Sequence, residues 1–506
     1  MYKSLKILIL LILCSLPAVL QAQKKEARIQ YRADVVEVDK NIGKGAQRLL
    51  NNVEFIHAGA KMYCDSAYFY SKQNTFDAYQ NIFINQGDTV LLYGDFLHYD
   101  GNTKKATITG REVKLINKKT TLLTDKLEYE LNTGVAFYKE NGHTVSEENT
   151  LESIEGYYYT RKKTFVFYDS VVIVNPDYTL YSDTVEYNTE TGVARFQGPT
   201  NIIGDSSHVY AEKGWYDSKL KLTELKKNAW ARNKKQTIYG DYIYYNQISG
   251  EGTAKQNVKI VEEEKSILLL GNNARYNENT GYAFITDRSE FVQFTSEGDS
   301  LFLHADTLIS YPDSSDNRIV FAYYKVKFYR ENVQGKCDSL VYTFSDSTIR
   351  MYYLPVLWTG KNQVSADRID IVTKNQKVDK MYLYQSSFIT SQEDSLYFNQ
   401  IKGKNMVCHF NDNQLDLIDV LGNGQTVYFP KDEDEIVGVN LSECSNIKIM
   451  LTDGEVSRIN FYVKPIGGMY PLEQAPENKL RLKGFNWLSD QRPQSRRDIF
   501  KTSMDN

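Results

Sequence analysis

Asp125-Lys-Leu-Glu-Tyr-Glu-Leu-Asn-Thr-Gly-Val-Ala-Phe137 is the stretch on which the fold turns. Leu127, Tyr129 and Leu131 alternate with Lys126, Glu128 and Glu130. A period of two gives a strand with one dry face and one wet face. Asn132-Thr-Gly134 follows and supplies a residue able to take positive φ, as a tight hairpin turn requires. Val135-Ala-Phe137 then starts the returning strand. The stretch therefore reads as a β-hairpin.

The same hairpin recurs. Asp183-Thr-Val-Glu-Tyr187 leads to Thr191-Gly192, Asp241-Tyr-Ile-Tyr-Tyr245 to Ser249-Gly250, and Asn272-Asn-Ala-Arg-Tyr276 to Thr280-Gly281. In each, the glycine lies five residues after the aromatic. Weaker copies begin at Asp65, Asp95, Glu212, Asp338 and Asp367, and Glu155 and Asp306 fill the gaps. Successive starts lie near 30 residues apart, as from 65 to 95, 95 to 125, 183 to 212, 212 to 241 and 338 to 367, the mark of a repeat architecture. Helical repeats would place apolar residues at i, i+3 and i+4 and would lack the Thr-Gly turns. Propeller blades need about 40 residues each. Each unit is expected to hold two or three short antiparallel strands; Val171-Val-Ile-Val174 is an example of the third.

Composition agrees. The 506 residues are 42% apolar and 25% charged, so the chain is not disordered by composition, and its length implies several domains or one long array. There are 38 Tyr but only 4 Trp and 10 Pro, a balance that favours half-buried strand faces. The first 22 residues read as an export signal: Lys3 and Lys6, then an apolar run from Ile7 to Leu13, with a cut expected near Gln23. That run is shorter than the roughly 20 apolar residues a spanning helix needs. Cys14 follows Leu13 where a lipidation signal wants a small residue, so no lipid anchor is expected there. Past the signal the net charge is −6 and no long basic stripe occurs, which argues against nucleic acid. Cys64, Cys337, Cys408 and Cys444 are too scattered for a disulfide framework and read as buried thiols. The expected domains are a first β roll over 23–175, a second over 176–350, a degenerate β region over 351–465 and an extended or disordered tail over 466–506.

Catalytic constellations are lacking. There is no His-Glu-x-x-His, Gly-x-Ser-x-Gly or phosphate loop, and the six histidines are far apart, so no catalytic residue, metal or cofactor is expected. The acid that opens each unit could pair as a glycosidase acid or bind Ca²⁺. Because it recurs with the fold period, a structural task such as bonding backbone amides at strand ends accounts for it better. The tyrosines could stack on sugars, but packing with the ring inward explains most of them.

The export signal and the tandem acid-x-apolar-x-Tyr, Thr-Gly, Val-Ala-x-aromatic units resemble the OstA-like or LptA-like family. Gly110-Arg-Glu-Val-Lys-Leu115 fits the same pattern, and Leu354-Pro-Val-Leu-Trp358 with Ala366-Asp-Arg-Ile-Asp-Ile371 resembles its larger members. The resemblance covers about residues 27 to 410. It implies a β-jelly-roll or β-slide whose apolar groove carries lipopolysaccharide acyl chains, without catalysis, in the periplasm or in association with the outer membrane. It also implies partners: other lipopolysaccharide-transport proteins through β-edge pairing, and head-to-tail self-association. Leu127, Tyr129, Val135, Phe137, Val185, Tyr187, Ile243 and Tyr245 lie on alternating apolar positions and are the candidates for the groove. The rival readings are a non-enzymatic envelope scaffold or surface β-repeat protein, and a carbohydrate-active β-solenoid enzyme.

Overall fold

A computed structural model describes residues 28–501 except 40, 88–89, 147–148, 295–299, 316, 375–376, 434 and 453. The expected export signal and its cleavage site lie outside the described residues. Among the described residues the protein is built of antiparallel strands with a few short 3-10 turns, and no helix is long and apolar enough to cross a membrane. The chain divides into two compact units, one ending at Gly192 and the other starting at Val193.

In the first unit each strand pairs with the next: Gln47–His57, Ala60–Tyr70, Thr75–Gln86, Val90–Asp100, Lys105–Asn117 and Thr120–Glu130. One sequence repeat is thus a pair of strands of 11 to 13 residues, longer than the short strands expected. The reason is a corner in mid-strand. Registers shift between Tyr63 and Ser66, between Tyr79 and Ile82, and between Tyr168 and Val171. Two successive residues take positive φ there, as at Gln80 (64°) and Asn81 (49°) or Asp169 (62°) and Ser170 (53°). Such a bulge bends a strand and raises its twist. Val171–Val174, expected as a third strand, is the far arm of Thr164–Asn175 beyond its corner.

The corners explain the recurring acid. Asn81 Nδ2 donates to Asp65 Oδ2 at 2.7 Å, Arg111 N to Asp95 Oδ2 at 3.0 Å, and Asn257 Nδ2 to Asp241 Oδ2 at 2.6 Å. The acids sit in mid-strand opposite the bulge, not at strand ends. Asp65 and Asp241 thereby tie down corners whose non-glycine residues take positive φ at a cost of roughly 1–2 kcal/mol apiece.

Residues directly opposite in a sheet share a face. One arm of the first unit thereby carries the inner row Phe76, Tyr99, Ala106, Tyr129, Ala136 and Tyr158. The other carries Met62, Ile84, Leu92, Leu115 and Leu122. The arms face each other, for Phe55 of one stacks on Phe76 of the other with centroids 3.7 Å apart. Tyrosine hydroxyls close the open ends. Tyr99 shares a hydrogen bond with His57 Nδ1 at 2.7 Å, Tyr129 donates to Gln86, and Asn117 Nδ2 donates to Tyr158 at 2.5 Å.

The second unit repeats the plan from Val193–Gly204 and Ser207–Asp217 through to Val439–Thr452 and Ile466–Tyr470. Its corners include Lys227–Asn228, Gln256–Asn257 and Gln385–Ser386. Residues 351–465 belong to this unit and keep its strand order. Among the described residues after Tyr470 there is no further strand, and the chain proceeds by short 3-10 turns to Phe500. It is not a free tail: Ile499 is 1% exposed, and side chains of the sheet bond its backbone.

Candidate functional site

In the second unit the two arms do not fill the space between them. The inner row of one arm runs Leu225, Ile243, Ala254, Ala274, Ile285 and Leu308. The row beside it runs Tyr245, Gly252, Tyr276, Ala283, Ser310 and Val320. The facing arm presents Ile238, Ile260, Leu269 and Phe291. Ala283 contributes almost no volume to the wall, and a cavity of about 780 Å³ remains. Ile260, Leu269, Phe291, Ile285, Leu308 and Val320 are among its walls. The volume lies within the roughly 300–1,000 Å³ usual for ligand pockets.

Its mouth stays open because the tyrosines do not bridge the arms here. Tyr245 turns along its own arm and donates to Glu278 Oε2 at 2.5 Å. Burial raises the Tyr245 pKa, and the bond to Glu278 raises it further, so the hydroxyl stays protonated as the donor. Tyr276, lining the cavity, is also raised, first by burial and then by the Glu278 charge, with Arg318 opposing. The exposed Lys234, Lys235, Glu278 and Asn279 and the half-buried Arg318 are among its lining residues. The wall is correspondingly wet: Leu269 and Phe291 are half-buried, whereas Leu92, Leu115 and Leu122 of the first unit are at most 1% exposed. An apolar-walled slot with a polar rim can shelter an aliphatic chain while leaving a polar head in water.

The eight groove candidates are scattered by this geometry. Leu127, Tyr129 and Val185 are fully buried in the first unit, where they fill its packed interior. Tyr187 is half-buried on the same inner face, opposite Phe165. Val135 and Phe137 lie on the other face, opposite Glu130 and Glu128. Phe137 stacks on Tyr157 there at 4.4 Å. Past the Gly134 turn the inward positions are Ala136 and Tyr138, so the apolar residues flanking them face out. Ile243 belongs to the same row as the cavity wall and is 7% exposed, and Tyr245 sits near the rim. Ile260, Leu269, Ile285, Phe291 and Leu308 were not singled out. The signal for them was the coincidence of small inward residues at 252, 254, 274 and 283 with the apolar run Leu268-Leu-Leu270 on the next arm.

Other chemistry is sparse. Cys64, Cys337 and Cys408 are free, buried and pushed up to about 12 by desolvation, which keeps them as unreactive thiols. No cluster of His, Cys, Asp and Glu able to hold a metal occurs among the described residues.

Fold and cavity together define a class: a bent antiparallel β-sheet protein whose paired arms enclose an apolar slot. Residues 25–183 and 186–300, more than half of the chain, match the OstA-like protein family, and the chain belongs to it. Among solved structures it is similar to the crystal structure of LptH, described as the LptA-homologous periplasmic component of the conserved lipopolysaccharide transport device from Pseudomonas aeruginosa. That likeness has 14% identity, covers 34% of this chain and 83% of the other, and has a TM-score of 0.14. No curated protein matches the chain.

Proposed function

We propose that this protein binds lipopolysaccharide in the periplasm, holding acyl chain in the slot of the second unit, and so contributes to outer-membrane assembly without catalysis. The open-mouthed apolar cavity of about 780 Å³ is the observation that carries the reading. Membership of the OstA-like family supports it. Each methylene moved from water into the slot contributes about 0.8 kcal/mol, so ten of them supply about 8 kcal/mol, ample for reversible carriage. The first unit is closed and packed, which favours a structural role there: a stalk that presents edge strands. Its N-terminal strands Gln30–Arg32 and Val35–Glu37 pair with Gln47–His57 and offer their other edges for pairing with transport partners or a second copy. The export signal over residues 1–22 belongs to the same proposal.

The test is lipid content. Full-length protein purified from envelope extracts is analysed by mass spectrometry beside a Leu269→Asp variant. Lipid A in the wild type and its loss from a folded variant support the reading. Wild-type protein without lipid A would favour the scaffold instead.

A further inference from the structure

The face of the second unit turned away from the cavity buries amide side chains. Gln334, Gln363 and Gln400 are 3%, 2% and 0% exposed. They share one face: Gln334 is opposite Trp358, Trp358 opposite Gln363, Gln363 opposite Thr390, and Thr390 opposite Gln400. What covers them is the irregular C-terminal segment. Gln400 Nε2 donates to the Leu480 carbonyl, and Leu482 N donates back to Gln400 Oε1, both at 2.8 Å. Gln363 repeats the exchange, donating to the Asn486 carbonyl at 2.7 Å and accepting from Leu488 N at 2.8 Å. Arg492 Nε donates to Gln334 Oε1 at 2.8 Å. A glutamine amide offers one donor side and one acceptor side, so a row of them imitates the edge of a strand. Apolar anchors lie between, with Phe485 and Trp487 packing on Phe398 at 5.4 and 5.1 Å.

The segment ends at the cavity's back wall. Arg496 donates twice to the buried Glu290, at 2.6 and 2.8 Å, and lies over the Phe302 ring at 4.8 Å. Phe500 packs on His304 at 4.6 Å. Glu290 opens the five-residue strand Glu290–Phe294, and the next residue, Phe291, points the other way and lines the cavity. The strand is paired on both edges, with Ile267–Asn277 and with Ser300–His304, and the bidentate pair at its first residue adds an anchor where the strand begins.

We propose that residues 480–500 are a built-in peptide ligand of this outer face, and that their docking holds the Phe291 wall and so gates exchange of whatever occupies the cavity. The gating half rests on the proposed function; the docking half does not. The amide track is the docking site, and the Arg496–Glu290 pair is the latch. Undocking frees strand 290–294 to move outward, which widens the slot without disturbing the first unit.

Hydrogen exchange and release of a fluorescent long-chain fatty acid, both on the full chain, test this. Arg496→Gln leaves Glu290 buried without its guanidinium. It is expected to speed exchange of residues 290–294 and release of the probe by about tenfold, with residues 60–70 unchanged. The double variant Arg496→Gln with Glu290→Gln removes both charges and guards against misfolding. It is expected to stay folded and to release the probe faster than wild type. Unchanged exchange at 290–294 in the folded single and double variants would overturn the latch. Faster exchange there with unchanged probe release would overturn the gating. If wild-type protein takes up no probe, the cavity reading fails and the gating with it, while exchange at 290–294 still decides the docking.

Discussion

Ala283→Phe fills the proposed slot from its own wall. Ala283 is half-buried and lines the cavity, with Tyr276 opposite it on one side and Ser310 on the other. A benzyl group there displaces about three or four methylenes of a bound chain. At about 0.8 kcal/mol each this removes about 3 kcal/mol of affinity, or about a hundredfold. The ring enters open space, so the melting temperature should fall by less than about 3 °C. Ala136→Phe is the control. Ala136 holds a similar place between Tyr129 and Tyr158 but is 1% exposed in a closed interior. Overpacking it should cost about 1–3 kcal/mol or more of stability and leave affinity in the second unit intact. Probe titration and thermal melts on both variants read the two effects. If Ala283→Phe binds as tightly as wild type, or destabilises the protein as much as Ala136→Phe does, the slot is a packed core and the reasoning fails.

Asp241→Ala removes the carboxylate that Asn257 bonds at its corner and should lower stability by about 0.5–1.5 kcal/mol without changing probe affinity; denaturant melts check this. Phe137→Ala removes an outward ring, so lipid content by mass spectrometry should not change, and a loss of lipid would put the groove on the wrong face. Acid should weaken the second unit through His304, whose pKa burial lowers below the ordinary value. Its contribution is complete above the unfolded value of about 6.5 and is lost as pH falls from there through the folded value, because the unfolded chain then binds the proton first. His304→Gln should flatten melting temperature against pH below about 6.5 relative to wild type.

Much of the fold was legible because period-two alternation and the Thr-Gly turn are local. Tyr129, Tyr187, Tyr245 and Tyr276 each precede a positive-φ glycine, at 134, 192, 250 and 281. The corners were not legible. Positive φ at residues such as Gln80 and Lys227 leaves no composition signal, and without the corner one bent strand reads as two short ones. The site suffered from the same gap. Alternation tells which residues share a face within a strand, but the turn decides which face continues inward, and so Val135 and Phe137 went to the wrong side. Whether an inward row packs shut or leaves a slot depends on side-chain volumes contributed by strands far apart in the chain. Tyr129 meets Gln86 across its interior; Tyr245 instead meets Glu278 along its edge. Sequence near either tyrosine does not distinguish them. The glutamines of the amide track were equally silent, since alone each reads as an ordinary polar strand residue.

The central claim is that lipid occupies the second unit's slot and not the first unit's interior. A photo-crosslinking amino acid at Leu269 in living cells, with one at Leu122 as the matched inward position of the first unit, tests it most directly. The account predicts adducts with lipopolysaccharide at Leu269 and none at Leu122. Adducts at Leu122 alone, or none at Leu269 while a known transport component crosslinks in the same cells, would contradict it.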